Sequence, residues 1–354
     1  MNTEMRPIGS QGPQEDILAV SEVFRFPVRT HPWSPWFPHP NLYVLNWQKQ
    51  KLLRQFNIPP AHFDAEEYRF LNRCYHYSGA RGICASEKFI FVALQNSILV
   101  YERGLRTMVR RLEHPLFNGI HEIVWQRGRL YVTCAATDSV IVMDEDGNEL
   151  QRFCLGSNQF LLDSFRLPRR DLDDRLDYRI MHRVRRLFHV NSVQVRNESI
   201  YLHLNRQGSF VKIHPQEEII IRDADLKESH NAQFTADGRY ILVNDTGNHA
   251  LRVFQASGAP LRSIDIRDFR LPIDFARKKS FGPGQHQVKA GWLRGLALSA
   301  VKRDIVYLGL SPAMLISVNY MTGICEGYFR FRKNYHIAVH GICNLAGNFD
   351  GHAR

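Results

Sequence analysis

Long apolar runs are missing from this chain: nowhere do 18 apolar residues follow one another, so no helix of ordinary spanning length is expected. Cysteine is scarce, with six in 354 residues and no Cys-x-x-Cys spacing, which argues against a zinc ribbon or a thioredoxin-type redox pair. P-loop, Gly-x-Gly-x-x-Gly, His-Glu-x-x-His and Gly-x-Ser-x-Gly motifs are also lacking, and with them the usual signatures of nucleotide cradles, zinc proteases and α/β-hydrolases. The net charge is +11, yet no block of Lys and Arg is long enough to serve as a nucleic-acid arm. A basic balance of this kind suits an anionic ligand, nucleic acid or an acidic membrane. With no basic arm and no spanning run, the expectation is a small anionic ligand, with no nucleic acid and no membrane as partner. Met1 to Asp16 is polar and has no apolar h-region, so the expectation is a cytoplasmic chain whose thiols are reduced and buried.

What is present is a repeat. Six short segments open buried strands: Arg81-Gly-Ile-Cys, His121-Glu-Ile-Val, His189-Val-Asn-Ser-Val, His230-Asn-Ala-Gln-Phe, Arg294-Gly-Leu-Ala and His340-Gly-Ile-Cys. After each but the last come a turn and a second strand, such as Arg129-Leu-Tyr-Val or Arg239-Tyr-Ile-Leu-Val. A polar turn then leads to a third, such as Ser139-Val-Ile-Val-Met or Ala250-Leu-Arg-Val-Phe. Gly-bearing turns (Asp146-Gly, Ser257-Gly, Thr322-Gly) introduce a fourth. Four short strands repeating about every 40 residues are the signature of a propeller blade.

The starts are 40, 68, 41, 64 and 46 residues apart, so two of the repeats carry insertions, at about 157–188 and 265–292. The segment beginning at His340 has almost no chain after it. Its partners must come from the other terminus, where Asn41-Leu-Tyr-Val-Leu-Asn-Trp and Lys51-Leu-Leu-Arg-Gln-Phe read as third and fourth strands. The expected fold is therefore all-β: a six-bladed β-propeller closed by N- and C-terminal strands in one blade. It forms a single domain over 18–354 after a disordered tail at 1–17. Both insertions enter first strands, so both are expected over one mouth of the axial channel. The first reads as a helix from Asp171 to Phe188, with Leu172, Leu176, Ile180, Val184 and Leu187 as its apolar stripe. Both insertions contain Phe-Arg-Leu-Pro, at Phe165 and Phe269, which implies a shared way of crossing the blade edge. The aromatic run Pro32–Pro40 reads as a loop packed on the propeller, and His249 as a turn residue.

First strands line a propeller's axis, so the residues that open them should meet there. Four are histidines (His121, His189, His230, His340) and two are arginines (Arg81, Arg294), a set suited to holding an anion. The bland alternative is a group of hydrogen-bonded histidines filling a polar channel.

His189-Val-Asn-Ser-Val, Asn205-Arg-Gln-Gly-Ser-Phe-Val-Lys-Ile and His230-Asn-Ala-Gln-Phe resemble motifs of the bacterial arylsulfate sulfotransferases, PAPS-independent six-bladed propellers. The likeness covers about 70 residues well. It implies that His230 is the nucleophile accepting a sulfuryl group, that His189 and Arg206 bind its oxygens, and that His121 is a further channel histidine. Arg81, Arg294 and His340 would complete the substrate-binding set, with no cofactor. The chain departs from that family in having Asn231 where an aspartate usually follows the catalytic histidine. It also has Glu122 after His121, and shows neither an export signal nor room for the family's N-terminal β domain. Asp245-Thr-Gly-Asn-His resembles a turn of NHL-repeat propellers, which leaves room for a protein partner and a non-catalytic role. The remaining alternative is a metal enzyme in which His121, His189, His230 and His340 hold Fe, Zn or Mn.

Overall fold

The computed structural model describes residues 15–25, 41–58, 77–104, 107–181, 184, 186–226, 228–276, 278–279, 288–335 and 337–346. In it the repeat folds into antiparallel four-stranded sheets arranged as a six-bladed β-propeller. The innermost strands, in chain order, are Ile83–Ala85, Ile120–Gln126, Val190–Arg196, Ala232–Phe234, Arg294–Leu298 and Ile337–Asn344. Numbering the blades by these strands, blades one to five each run from the axis outward in sequence order. A separate two-stranded hairpin, Lys278–Lys279 with Val288–Lys289, lies within the second insertion.

Side-chain alternation holds the blades together. Successive residues of a strand point to opposite faces, so each blade feeds two neighbouring interfaces. In blade six, Leu18, Val20, Tyr43 and Leu45 pack on blade five, while Ala19, Leu42 and Val44 pack on blade one. Each of the six interfaces holds its own apolar cluster of this kind. The middle strands, such as Ser139–Met143, are therefore buried throughout, and the outermost, such as Glu149–Cys154, are largely exposed.

Blade six is closed by both ends of the chain. Ile337–Asn344 pairs with Ile17–Arg25, which pairs with Leu42–Asn46 and then Lys51–Phe56. The third and fourth strands lie where the sequence placed them. The second strand, Ile17–Arg25, had no counterpart in the sequence reading. Residues 15–17, assigned there to the tail, belong to the fold. Buried Asp16 accepts hydrogen bonds from Ser299 Oγ (2.6 Å), Tyr307 Oη (2.6 Å), Asn344 Nδ2 (2.7 Å) and the Ala300 amide (2.7 Å), fastening the first strand to blade five. These donors hold its carboxyl below the usual range although burial opposes them. The Pro32–Pro40 run lies outside the described residues.

The first insertion departs from expectation. No helix spans 171–188; the ordered helix is Gln159–Phe165, capped by Asn158, whose side chain accepts from the Leu161 amide at 2.8 Å. Asp173 and Asp177 instead accept from backbone amides two residues on, at Arg175 and Arg179, and such local bonds compete with helix. The apolar residues also separate. Leu172 and Val184 pack on the interface of blades one and two, Leu187 on that of blades two and three, and Leu176 is exposed. The insertion is tied to loops of blades one and two, since Asn118 Nδ2 donates to the Tyr178 carbonyl (2.7 Å) and Asn96 Nδ2 to that of Arg179 (3.4 Å). The second insertion is tied to the corresponding turns of blades four and five through His249 Nδ1 to the Gly291 carbonyl (3.1 Å) and Gly291 N to the Ser311 carbonyl (2.7 Å). The described parts of both insertions are thus tied to turns on one face of the propeller. The repeated Phe-Arg-Leu-Pro segments behave alike, Phe165 and Leu167 packing on one blade interface and Phe269 and Leu271 on another.

Two glycines show how tightly the inner strands converge. A Cβ on Gly341 would lie 2.2 Å from the Arg81 carbonyl oxygen, and one on Gly82 would lie 2.9 Å from the Glu122 Cα. The channel therefore narrows directly behind the residues that open these strands.

Ending the chain at Tyr335 removes the inner strand of blade six and should abolish cooperative urea unfolding. Asp16→Ala keeps that strand but leaves its buried donors unmet, and should fold with stability lowered by about 3 kcal/mol. A truncated chain with an unchanged transition would contradict the shared blade.

Candidate functional site

Side chains at or just before the start of five inner strands reach the axis, as does His340, which lies inside Ile337–Asn344 rather than at its start as the sequence suggests. There the four histidines meet. The His121 ring lies 5.1 Å from His189, 5.9 Å from His230 and 5.5 Å from His340, centroid to centroid. Arg81 and Arg294 are buried in the same cluster. Arg81 Nη1 reaches the Ile120 carbonyl at 3.2 Å, and the Arg294 guanidinium lies 4.4 Å from the Trp292 ring centroid. Arg206 stands apart at the mouth: it is exposed, and its Nη1 donates to the Arg186 carbonyl.

The hydrogen bonds assign the protons of three rings. Thr246 Oγ1 gives its proton to the Leu293 carbonyl (2.7 Å), and the Glu228 carbonyl can only accept. Both lie against His230 Nδ1, at 2.9 and 2.6 Å, so Nδ1 carries the hydrogen and the lone pair of the neutral ring is on Nε2. His189 is the opposite tautomer. Arg186 Nη1 donates to its Nδ1 (3.3 Å), so its Nε2–H donates to His121 Nε2, also 3.3 Å away. The lone pair of His121 Nε2 is thereby occupied. His340 differs from all three: only 6% exposed, its ring nitrogens have no hydrogen-bond partner on any other described residue, and only its own carbonyl lies close.

Burial and cationic neighbours keep every ring neutral. Burial first, then His189, Arg81, His340 and His230, holds His121 well below the ordinary range. Burial, Arg294, His340 and His189 act likewise on His230, and burial, Arg294 and Arg81 on His340. His189 is lowered to about 3 by burial and then by Arg186, Arg206, Arg294 and Arg81. Arg206 thus acts here as a charge felt at His189.

Asp138, Glu228 and Thr246 support the site with no signal at the sequence level, whereas Glu122 is visible in the sequence beside His121. Asp138, in what reads only as a polar turn, accepts from the amides of Leu187 and His189 and holds His189 in a left-handed conformation, φ +55°. Glu228 and Thr246 set the His230 tautomer. Glu122 lies behind the histidines, accepting from Asn231 Nδ2 at 3.2 Å and from Ser192, and burial lifts its carboxyl to about 8. A glycine following Arg81, Arg294 and His340 was the visible signal of a tight axis. Cys84 and Cys343 are in no disulfide and burial raises both thiols, that of Cys343 to about 12, which suits inert core residues. His249 is a turn residue, as expected. Among the described residues no three His, Cys, Asp or Glu side chains are grouped to hold a metal ion. No helix among them is long and apolar enough to cross a membrane.

The sequence matches no protein-family model and no curated protein. In three dimensions the chain is similar to a structure of the nidogen/laminin complex, with TM-score 0.56 and 11% identity over 93% of this chain and 97% of that one. It is also similar to a protein of unknown function from Bacteroides caccae, with TM-score 0.55 and 10% identity over 92% of this chain and 98% of that one. A catalytically inactive virginiamycin B lyase from Staphylococcus aureus with quinupristin aligns at TM-score 0.47 and 11% identity, over 73% of this chain and 72% of that one. The likeness is one of fold.

Neutral buried histidines make the propeller acid-sensitive. A ring whose folded pKa is depressed stabilises the fold above its unfolded value, 6.5, and that stability is lost as pH falls towards the folded value, about 3 for His189. Between those two values each such ring contributes up to about 1.4 kcal/mol per pH unit. Urea unfolding at pH 7, 6 and 5, without multivalent anions, should show a steep loss of stability that His230→Gln makes shallower by about that amount. An unchanged slope in the variant would show that His230 is not held neutral.

Proposed function

We propose that this protein transfers a sulfuryl or similar anionic group through a covalent adduct on His230. The observation that carries this reading is the fixed His230 tautomer, which leaves the Nε2 lone pair available in a cluster with buried Arg81 and Arg294. The motif likeness around His189, Asn205 and His230 agrees with it. Arg81 and Arg294 supply guanidinium donors for a tetrahedral anion, and such clamps act most strongly where water is excluded.

In the first step Nε2 attacks sulfur, the bond from sulfur to the leaving oxygen breaks, and that oxygen takes a proton. Positive charge spreads over the imidazole as its new bond forms, and Nδ1–H then donates more strongly to the Glu228 carbonyl. In the second step an acceptor hydroxyl attacks sulfur, the N–S bond breaks, the hydroxyl proton departs, and the neutral ring returns. Two such steps replace one harder direct displacement. His189 and His121 are committed to each other through their Nε2 atoms and serve as walls of the site. Binding without transfer would make the channel an anion-recognition module instead.

Intact mass after incubation with an aryl sulfate tests the proposal. The unaltered protein should gain one sulfuryl group and His230→Ala none. Arg294→Ala should slow adduct formation about 100-fold, corresponding to about 3 kcal/mol of transition-state stabilisation. Arg206→Ala should have a smaller effect, because that side chain is at the exposed mouth. Adduct formation that survives in His230→Ala would overturn the assignment.

A further inference from the structure

We propose that His340 is the proton carrier of this channel: it takes up a proton when an anion settles between Arg81 and Arg294, and gives it to the leaving oxygen during group transfer. The second half of this inference rests on the transfer reading above; the first half does not.

The starting observation is that His340 is buried and that neither ring nitrogen has a hydrogen-bond partner on any other described residue, its own backbone carbonyl being the one acceptor close to it. Leaving such a group unmet is costly, so a position of this kind in a polar channel marks where a ligand atom or a transferable proton belongs. The surroundings say which. Arg81 of blade one and Arg294 of blade five act on His340 electrostatically, His121 of blade two lies 5.5 Å away ring to ring, and His230 of blade four is close enough to be influenced by it. The neighbouring carboxylate of blade six, Glu22, is turned away, accepting from Tyr43 Oη at 3.0 Å and pairing with Arg332 at 3.5 Å. Among the described residues the charges that act on His340 are those of Arg294 and Arg81, while Glu122 is held behind the histidines by Asn231 and Ser192.

In the empty channel the two guanidiniums oppose a third positive charge. A bound dianion offsets both, and the main electrostatic obstacle to protonating His340 is then removed. The other histidines are poorer carriers. Protonating His230 at Nε2 would remove the nucleophile's lone pair, and protonating His121 at Nε2 would break its bond to His189. His189 is opposed by four arginines. For a sulfate ester, the sulfuryl group brings one negative charge and the developing charge on the leaving oxygen brings the second. The His340 proton moves to that oxygen as the S–O bond breaks, leaving His340 neutral. In the return step the neutral ring accepts the proton of the attacking hydroxyl, so each cycle restores both histidines.

Two measurements separate the halves. Calorimetric titration of the unaltered protein with inorganic sulfate, in buffers of differing ionisation enthalpy, should show net proton uptake approaching about one per sulfate at mildly acidic pH. His340→Asn should bind sulfate with little uptake. Binding without proton uptake, or equal uptake in the variant, would overturn the proposal. The leaving-group test compares phenyl sulfate, whose phenolate needs a proton, with 4-nitrophenyl sulfate, whose phenolate needs one far less. In His340→Asn the phenyl to 4-nitrophenyl rate ratio should fall about 100-fold, the scale of general-acid catalysis. A ratio equal to that of the unaltered protein would remove His340 from the transfer step. Proton uptake on sulfate binding in a protein that forms no adduct with either ester would keep the carrier and discard the transferase reading.

Discussion

The pairing of Ile17–Arg25 with Ile337–Asn344 joins the two ends of the chain inside one blade, and the axial site depends on that pairing. Blades one to five are each locally complete, but five of them leave an open arc with two raw edges. Only the shared blade sets Arg81 of blade one beside His340, with the Gly341 backbone packed on the Arg81 carbonyl and Ser21 hydrogen-bonded to both. The same closure places Asp16 among four donors, where it fastens the start of Ile17–Arg25 to blade five and to Asn344 of its own blade.

Closure forces side chains of like charge together, and the histidines are a consequence of that crowding. Two arginines buried at one axis would repel a further fixed cation, yet a purely apolar lining would leave their guanidiniums poorly solvated. Imidazole resolves the conflict because it is polar without being charged. Neutrality then turns His121, His189 and His230 into directed groups, donor at one nitrogen and acceptor at the other, with the direction set by a carbonyl, a threonine and Arg186. A cation at the centre would meet the field of Arg81 and Arg294, whereas an anion would relieve it.

Much of the architecture was legible in the sequence because a propeller repeats its instructions. The histidine starts, the two Arg-Gly starts, the turn residues and the blade-length spacing each recur, so errors at one blade are corrected by the others. Ile17–Arg25 was not legible, since Leu18, Ala19 and Val20 are buried on both faces and show no polar alternation. The helix expected at 171–188 failed for the converse reason: its apolar spacing was helical, but those residues serve two different blade interfaces. At the site, the axial positions of six side chains could be inferred from register alone. Their tautomers could not, because Glu228, Thr246, Leu293, Arg186 and Asp138 act through contacts that no local pattern encodes.

The central claim is that the channel histidines are neutral and that His230 offers its Nε2 lone pair. Nitrogen-15 chemical shifts of the histidine rings, assigned by single substitutions in labelled protein at neutral pH, read this directly. The account predicts a protonated Nδ1 and bare Nε2 for His230, the opposite tautomer for His189, and no imidazolium among the four. An imidazolium pattern at His230, or a hydrogen on its Nε2, would contradict it.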